Sequence, residues 1–384
     1  MHEHKQNQCK RKVKHRKNVM GLIIFCITVG IAFMFTYYQN LRKEISARQK
    51  WLETVLTGEK KWILENQGSE GEIYMNGSKA GDVNPYFACM AALGLLAETK
   101  NCPITETEKK AVGRYLDWHT GILLETDGKM GIYRKESGKL IYKEKADSED
   151  GYLGMYLFLM GKYLEKTEST DLPEYWKKGI SLALKKIQSL MQDGITQVSE
   201  ENTTAYLMDN LEVWKGLYEL ELAGLEDTQA ISEMRKKIQE QIEKIFWDDA
   251  NQRWRIIGNS DLYHQTEFYP DGVAQIYPLI YEFPVKEKKK QKVLYDQFTE
   301  RFQWQKLNKK RTGFLWAITG MAAAQMGDIN NLVELIGNYE TEYGKSKERK
   351  YPLYTGEAGW ICMECGKLYG LYDRKIKTAF IPCI

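Results

Sequence analysis

The pattern of apolar and polar positions begins with one long uncharged run and then changes to helical periodicity. Residues 19–38 carry no charged side chain, and about 20 residues at ~1.5 Å per residue span the hydrocarbon layer of a bilayer. Beyond this run, apolar positions recur every three to four residues over long stretches, which predicts helices rather than strands. About twelve helices are expected, beginning near Trp51, Pro85, Glu106, Glu149, Pro173, Thr203, Thr228, Pro270, Lys288, Gly313, Asp328 and Glu357.

These predicted helices alternate in character. Odd-numbered ones are striped and charged, as in YWKKGISLALKKIQSLM, whereas even-numbered ones are apolar all round, as in GYLGMYLFLMGKYL. A striped helix belongs at the surface, and a helix that is apolar on every side belongs in the interior. A polar turn and a short extended segment also recur after several odd helices, about 60 residues apart, which signals a repeated unit. We therefore predict an all-α fold, an (α/α)6 toroid of six helical hairpins, preceded by one transmembrane helix.

Charge patterning assigns a topology to the apolar run. The segment before it contains seven Lys and Arg residues and one acidic residue, Glu3, and such a segment stays in the cytoplasm. A cleaved signal peptide is the alternative, but it would have a shorter apolar region and small residues before its cleavage site. The chain is thus predicted to be a single-pass protein of the cell membrane with its C-terminal domain outside. Its segments are a basic cytoplasmic tail, 1–18; a transmembrane signal anchor, 19–38; a connector, 39–50; and a barrel domain, 51–384.

The composition of the exported part limits its chemistry. The net charge of the chain is +3, and because the tail is strongly basic, the remainder is close to −3, which argues against a nucleic-acid partner. Only His119 and His264 lie outside the tail, so neither a metal site nor another cofactor is expected. Cys362 and Cys365 form a CxxC inside an apolar helical run, and we interpret them as buried structural thiols.

Acidic residues stand at or before the starts of five of the six predicted inner helices. Each one alone fits a helix cap, but parallel inner helices bring their starts to one face, where crowded carboxylates raise one another's pKa. These residues are Asp82, Asp147, Asp150, Asp209, Glu267, Asp271 and Glu357. Aromatic rings beside carboxylates suit sugar rings, and the neighbouring aromatics are Tyr86, Tyr152, Tyr206, Tyr269, Trp316 and Trp360. The sequence therefore predicts a glycan-binding site that contains these residues.

Three segments carry a resemblance to a known family. GDVNPYFACMAA, DSEDGY and YPDGVAQIYPL resemble motifs of the six-hairpin glycosidase superfamily, and among its members most resemble the inverting glycoside hydrolases of family 8. The likeness covers about residues 51–375 and implies Asp82 as general acid, Asp271 as general base and Asp150 as a sugar ligand at the centre of the cleft. Asp82 stands where that family has Glu, and the Arg of the third motif has no counterpart. The resemblance implies a hydrolase of a polysaccharide or oligosaccharide, with Asp82 kept protonated by its acidic surroundings, and the predicted anchor makes this hydrolase membrane-anchored and extracytoplasmic.

Other functions remain open from the residues alone. A polysaccharide lyase or epimerase would need a base and a positive charge, for which His264, Tyr269 and Arg311 are candidates, although the acidic surplus disfavours an acidic substrate. A non-catalytic glycan-binding or scaffold protein would work with polysaccharide-synthesis or export partners, and the membrane helix suits it. Prenyltransferase-like or cyclase-like toroids need a zinc site, which we do not find in the sequence.

Overall fold

A computed structural model describes residues 2–77, 81–136, 139–169, 172–225, 228–258, 260–264, 266–307, 315–344, 349 and 353–379. Within them lie twelve helices: α1 His2–Glu65, α2 Pro85–Leu95, α3 Glu106–Glu125, α4 Glu149–Thr167, α5 Glu174–Leu190, α6 Leu207–Leu222, α7 Thr228–Phe246, α8 Val273–Ile280, α9 Lys288–Phe302, α10 Thr319–Met326, α11 Ile329–Tyr339 and α12 Thr355–Ala379. The strands are β1 Asp82–Val83, β2 Gly131–Glu136, β3 Lys139–Lys145, β4 Met191–Gln192, β5 Ile195–Thr196, β6 Trp247–Asp248 and β7 Arg253–Trp254.

The chain forms two compact units. The first comprises Met1–Trp51 and Tyr372–Ile384, and the second comprises Leu52–Leu371. The first unit contains the apolar run, in which the side chains from Met20 to Tyr37 are exposed; Phe33, for example, is 78% exposed. This run makes α1 long and apolar enough to cross a membrane. The expected connector, 39–50, is helical and continuous with the rest of α1.

The predicted alternation of helices is present in the second unit. In α8 every side chain is buried, and α2, α4, α6 and α10 are buried along most of their length. The outer helix α5 instead buries one stripe, which includes Trp176, Ile180 and Ile187. Such a stripe at helical spacing is what a helix shows when it covers a core from outside.

The inner helices close into a ring. α2 packs on α4, α4 on α6, α6 on α8 and α8 on α10. Gly320 of α10 lies against Glu364 of α12, and α12 returns to α2, where a Cβ on Gly94 would lie 2.4 Å from the Cα of Gly359. Because neither Gly94 nor Gly359 has a side chain, these two backbones approach more closely than other residues allow. The ring order is therefore α2, α4, α6, α8, α10 and α12.

Short hairpins follow the outer helices, as the repeated turn segments predict. β4 pairs with β5 and β6 with β7, and the turn between β4 and β5 places Asp193 and Gly194 at positive φ. A larger antiparallel sheet, β1–β2–β3, precedes α4. β1 leads directly into α2 and β3 leads towards α4, so this sheet is tied to the starts of two inner helices.

One predicted helix start lies outside the described residues, and others differ: Trp51 lies inside α1, and α6 begins at Leu207 instead of Thr203. Gly313 is not described, and α10 begins at Thr319. The helix expected from Pro270 is preceded by the segment Phe268–Gly272, which has π-helical hydrogen bonding but is kinked at Tyr269, where the backbone is extended. α8 then continues from Val273.

An ion-pair network, buried at Lys215 and Glu219 and partly exposed at Lys367 and Glu282, lies towards the opposite ends of the inner helices. Lys215 of α6 is 2.8 Å from Glu219 and 3.3 Å from Glu282, which follows α8. Lys162 of α4 also reaches Glu219 at 2.8 Å, and Lys367 of α12 reaches Glu282 at 2.5 Å. These ion pairs thus join α4, α6, α12 and a residue that follows the last turn of α8. They lie far from the N-termini of these helices, which surround the cavity described next.

Candidate active site

The N-terminal ends of the six inner helices surround a cavity of about 210 Å³. All six helices, or the residues immediately before them, contribute to its wall. The lining residues are Asn84, Tyr86, Phe87, Met90, Asp147, Ser148, Tyr152, Met208, Asp209, Glu212, Tyr269, Tyr277, Trp316, Ile318, Glu357 and Trp360. Nearly half of them are aromatic and four carry carboxyl groups, a combination that offers stacking faces and hydrogen-bond acceptors to a sugar.

Glu212 is the most deeply placed carboxyl group in this wall. It lies on α6 and is 2% exposed. Its Oε1 accepts hydrogen bonds from the hydroxyls of Tyr86, of Tyr277 at 2.7 Å and of Tyr281 at 3.3 Å. Burial raises the pKa of Glu212 to about 8, although the tyrosine hydroxyls act in the opposite direction. The carboxyl group is therefore protonated at neutral pH, as a general acid must be.

Glu212 was not among the residues predicted from the sequence. The predicted acidic residues stand at helix starts, whereas Glu212 lies one turn inside its helix. The spacing of Asp209 and Glu212 is the signal that could have found it, because residues at i, i+3 share one face of a helix.

Glu357 is a second buried carboxyl group, in the first turn of α12. It is 6% exposed, and its Oε2 accepts a hydrogen bond from the backbone N–H of Ala317 at 2.7 Å. Burial raises its pKa to about 7. In a ring of six helices, α6 and α12 are three places apart, so Glu212 and Glu357 stand on opposite walls of the cavity.

Asp209 lies beside Glu212 where α4 approaches α6. A Cβ on Gly151 would be 2.8 Å from Oε2 of Glu212 and 3.5 Å from Oδ1 of Asp209, so both carboxyl groups occupy the space left by this glycine. Burial, together with the charges of Asp150 and Glu212, raises the pKa of Asp209 well above its usual range. Three carboxyl groups in such proximity share protons rather than all ionise.

Asp82 has a different environment from the one predicted. Its carboxylate is held by the guanidinium of Arg134 on β2, with Nε 2.5 Å from Oδ1 and Nη2 2.8 Å from Oδ2. This bidentate pairing lowers the pKa of Asp82, which corrects the expectation that crowding would keep it protonated. Asp82 is not among the residues that line the cavity. In this structure it anchors the β1–β2–β3 sheet.

Asp150 and Asp271 also lie behind the cavity wall. Asp150 is fully buried and accepts hydrogen bonds from Ser148 at 2.8 Å and Thr196 at 2.7 Å; burial raises its pKa to about 6. Asp271 is 3% exposed and accepts the backbone N–H of His264 at 2.5 Å. The structure therefore does not bring the three predicted catalytic residues together in the cavity.

Most of the predicted sugar-binding residues do line the cavity. Tyr86 and Tyr152 have ring centroids 5.5 Å apart, and Tyr269 and Trp316 have theirs 4.7 Å apart. Trp316 has φ of +57°, an unusual conformation for a residue with a side chain and one that is found at functional sites. Asp147, Asp209, Glu357 and Trp360 complete this set. Two predicted residues do not line the cavity, namely Tyr206, which pairs with Ile257 through the backbone, and Glu267, which is exposed.

The described lining residues include no Lys, Arg or His. His119 is instead buried in the core, where burial lowers its pKa to about 3, and His264 is exposed. Arg311 lies outside the described residues. No group of three or more His, Cys, Asp and Glu suited to a metal ion is found in the described part of the chain. Carboxyl and aromatic groups thus dominate the described chemistry of the cavity.

Solved structures share this fold at low sequence identity. No protein-family model and no curated protein matches the sequence. A glycosidase variant in complex with glucose is similar with a TM-score of 0.59 and 12% identity, over 85% of this chain and 99% of that one. An inactive α-1,6-mannanase of Salegentibacter sp. with α-1,6-mannotriose gives 0.53 and 10%, over 84% and 99%. A D-mannose isomerase gives 0.54 and 10%, over 83% and 97%. The chain therefore has the same fold as these proteins, a toroid of helical hairpins, and membership of the six-hairpin glycosidase superfamily, and of family 8 within it, stays a prediction.

Proposed function

We propose that the chain is a membrane-anchored, extracytoplasmic glycoside hydrolase in which Glu212 is the general acid and Glu357 the general base. The observation that carries this proposal is the pair of buried glutamates, both with raised pKa values, on opposite walls of one aromatic cavity. Two titratable groups that flank a site and differ in protonation supply acid and base catalysis.

The reaction follows from this arrangement. Glu212 donates its proton to the glycosidic oxygen as the bond to the anomeric carbon breaks, while Glu357 takes a proton from the water that attacks that carbon from the other side. Attack from the opposite face inverts the anomeric configuration. Asp147 and Asp209 are placed to accept hydrogen bonds from sugar hydroxyls, and the rings of Tyr152 and Trp316 offer faces for stacking.

The similar solved structures support this choice. They include glycosidase variants in which a glutamate is replaced by alanine or a tyrosine by phenylalanine. Glutamate and tyrosine are also the residue types that meet in this cavity, at Glu212, Glu357 and Tyr86. Sugars bound to two of the relatives, glucose and α-1,6-mannotriose, favour a neutral glycan as substrate here.

The direct experiment uses the full-length protein in detergent with neutral and acidic oligosaccharides. The neutral probes are maltotriose, cellotriose and α-1,6-mannotriose, and oligogalacturonate is the acidic one. We expect one neutral probe to be hydrolysed, with the first product of inverted anomeric configuration by NMR. Binding without cleavage would instead support the scaffold alternative, and an unsaturated or epimerised product would support a lyase or epimerase. A product of retained configuration would rule out Glu357 as a base.

The pH dependence of kcat is expected to be bell-shaped. Glu212 must be protonated, so activity falls as the pH rises through about 8. Glu357 must be ionised, so activity falls as the pH drops through about 7. The maximum therefore lies between these values, with roughly tenfold loss per pH unit beyond them. A maximum below pH ~5, as for carboxyl groups with ordinary pKa values, would contradict the assignment.

The anchor is tested separately from the chemistry. In intact cells, added protease is expected to digest the barrel domain while an epitope on the tail, 1–18, stays protected until the membrane is opened. The reason is that the basic tail stays in the cytoplasm and the apolar run, 19–38, spans the bilayer. Mass spectrometry of the purified protein should find the apolar run still attached. Protection of the whole chain in intact cells, or loss of the run, would contradict the anchor.

A further inference from the structure

The two carboxyl oxygens of Glu212 have different surroundings. Oε1 accepts three phenolic hydrogen bonds, from Tyr86, Tyr277 and Tyr281. No described residue donates a hydrogen bond to Oε2, which lies beside Gly151 where Glu212 contributes to the cavity wall. One oxygen therefore faces a cluster of donors, whereas the other lies beside the backbone of α4 at Gly151.

This tyrosine cluster, Tyr86, Tyr277 and Tyr281, comes from two helices. Tyr277 and Tyr281 are spaced i, i+4 near the end of α8 and so share one face, whereas Tyr86 is at the start of α2. The hydroxyls of Tyr86 and Tyr277 are 3.4 Å apart. Buried hydroxyls need acceptors, and Oε1 of Glu212 is the acceptor these three share.

A carboxyl oxygen that accepts several hydrogen bonds has no lone pair left for a proton of its own. In the protonated form of Glu212, the proton therefore belongs on Oε2. Three donors at Oε1 also favour the ionised form of Glu212, since hydrogen bonds to a charged oxygen are stronger than those to a neutral one.

The following inference rests on the proposed function. We propose that the tyrosine cluster keeps the proton of Glu212 on Oε2 and stabilises the carboxylate that forms when this proton leaves. In the reaction, the O–H bond at Oε2 breaks as the proton passes to the glycosidic oxygen, and the electron pair of the cleaved C–O bond stays with the leaving sugar. The negative charge on Glu212 is then held by the three phenols. Between turnovers Glu357 releases to solvent the proton taken from water, and Glu212 regains one.

Other titratable groups also act on Glu212. Burial is the largest influence and raises its pKa, the charge of Asp150 on α4 raises it further, and the tyrosines lower it. Asp209 lies one turn before Glu212 on the same helix. The titratable groups that face Glu212 include Tyr86 from α2, Asp150 and Tyr152 from α4, Asp209 from α6, Tyr269 before α8, Tyr277 from α8 and Tyr281 directly after it.

The test compares Tyr277→Phe and Tyr281→Phe with the full-length wild-type protein. Each substitution removes a hydroxyl that donates a hydrogen bond to the ionised carboxylate of Glu212, so it should raise the pKa of Glu212 by about one to two pH units. The basic limb of the pH profile of kcat should move up by the same amount, and kcat at pH 7 should fall. Tyr156→Phe is the matched control, because its buried hydroxyl pairs with Thr120 at 2.9 Å and not with Glu212. It should leave the limb where it is.

Infrared titration of protein labelled with ¹³C-glutamate gives a readout that needs no turnover, with Glu212→Gln as the reference that identifies the band. If the Glu212 carboxyl band titrates at a higher pH in Tyr277→Phe than in the wild-type protein, the role of the tyrosine cluster is supported even if no glycan is hydrolysed. The proposed hydrolase function and the proposed role of the cluster can therefore fail independently. If hydrolysis occurs but neither the band nor the basic limb moves, or if both move down, the tyrosine cluster has no such role.

Discussion

Replacing Glu212 by Gln is expected to lower kcat for an unactivated oligosaccharide about 10³-fold, the middle of the range of about 10² to 10⁴ for loss of a general acid. The amide matches the carboxyl group in size and its oxygen can still accept hydrogen bonds from Tyr86 and Tyr277. It cannot transfer a proton to the glycosidic oxygen, so the chemistry is lost while the fold is kept. Steady-state kinetics and a thermal unfolding curve measure both quantities on the same preparation.

Leaving-group chemistry distinguishes an acid from a residue that only binds. An aryl glycoside with a strongly acidic phenol leaves without protonation, so Glu212→Gln should cleave it within about tenfold of the wild-type rate. Asp82→Asn is the matched control, because Arg134 holds this carboxylate ionised. Its half-exposed ion pair is worth up to about 1 kcal/mol, and we expect near-normal turnover. If Asp82→Asn loses turnover and Glu212→Gln keeps it, the general acid is Asp82 and not Glu212.

Glu357→Gln is expected to lower kcat by about 10² to 10⁴ on both kinds of substrate. Activation of water is needed whatever the leaving group, so an activated aryl glycoside should not rescue this variant. The amide can still accept the backbone N–H of Ala317, so the start of α12 should keep its geometry. Comparison of kcat for the two substrates in Glu212→Gln and Glu357→Gln provides the measurement.

Azide provides the control for the base. As an anion it attacks the anomeric carbon without giving up a proton, so it should restore turnover of the aryl glycoside in Glu357→Gln and yield a glycosyl azide. It should have no such effect on Glu212→Gln with the unactivated glycan. Full activity of Glu357→Gln without azide would remove Glu357 from the mechanism.

Much of the fold follows from local sequence. The starts of α2, α3, α4, α7 and α9 coincide with predicted positions, because breakers and capping residues stand directly before apolar periods. The burial of the even helices follows from their lack of a polar face. Ring closure has another cause, since it depends on the approach of Gly94 to Gly359, residues far apart in the chain that no local pattern connects.

Only some of the residues in the site could be predicted from the sequence. Asp209, Glu357 and Trp360 lie at starts of inner helices, and the toroid brings such starts together. Asp82 also precedes an inner helix, but Arg134, on a hairpin distant in sequence, neutralises it. A tertiary ion pair of this kind leaves no trace in the residues beside Asp82.

Glu212 is the opposite case, since the assembled structure and not its place in the sequence makes it a candidate acid. Its importance comes from Tyr86 and Tyr281, which approach from two other inner helices. Burial of all three follows from their positions in the ring, and burial also raises the pKa of Glu212. The sequence shows the residue types, whereas the raised pKa depends on the assembled core.

The most direct measurement is a crystal structure of full-length Glu212→Gln with the neutral oligosaccharide that the wild-type protein cleaves. The glycosidic oxygen should lie within about 2.6–3.2 Å of the side chain at position 212, on its Oε2 side, with the anomeric carbon facing Glu357 across a water molecule. A sugar bound outside this cavity, or with its scissile bond next to Asp82 or Asp271, would contradict the assignment of Glu212 and Glu357.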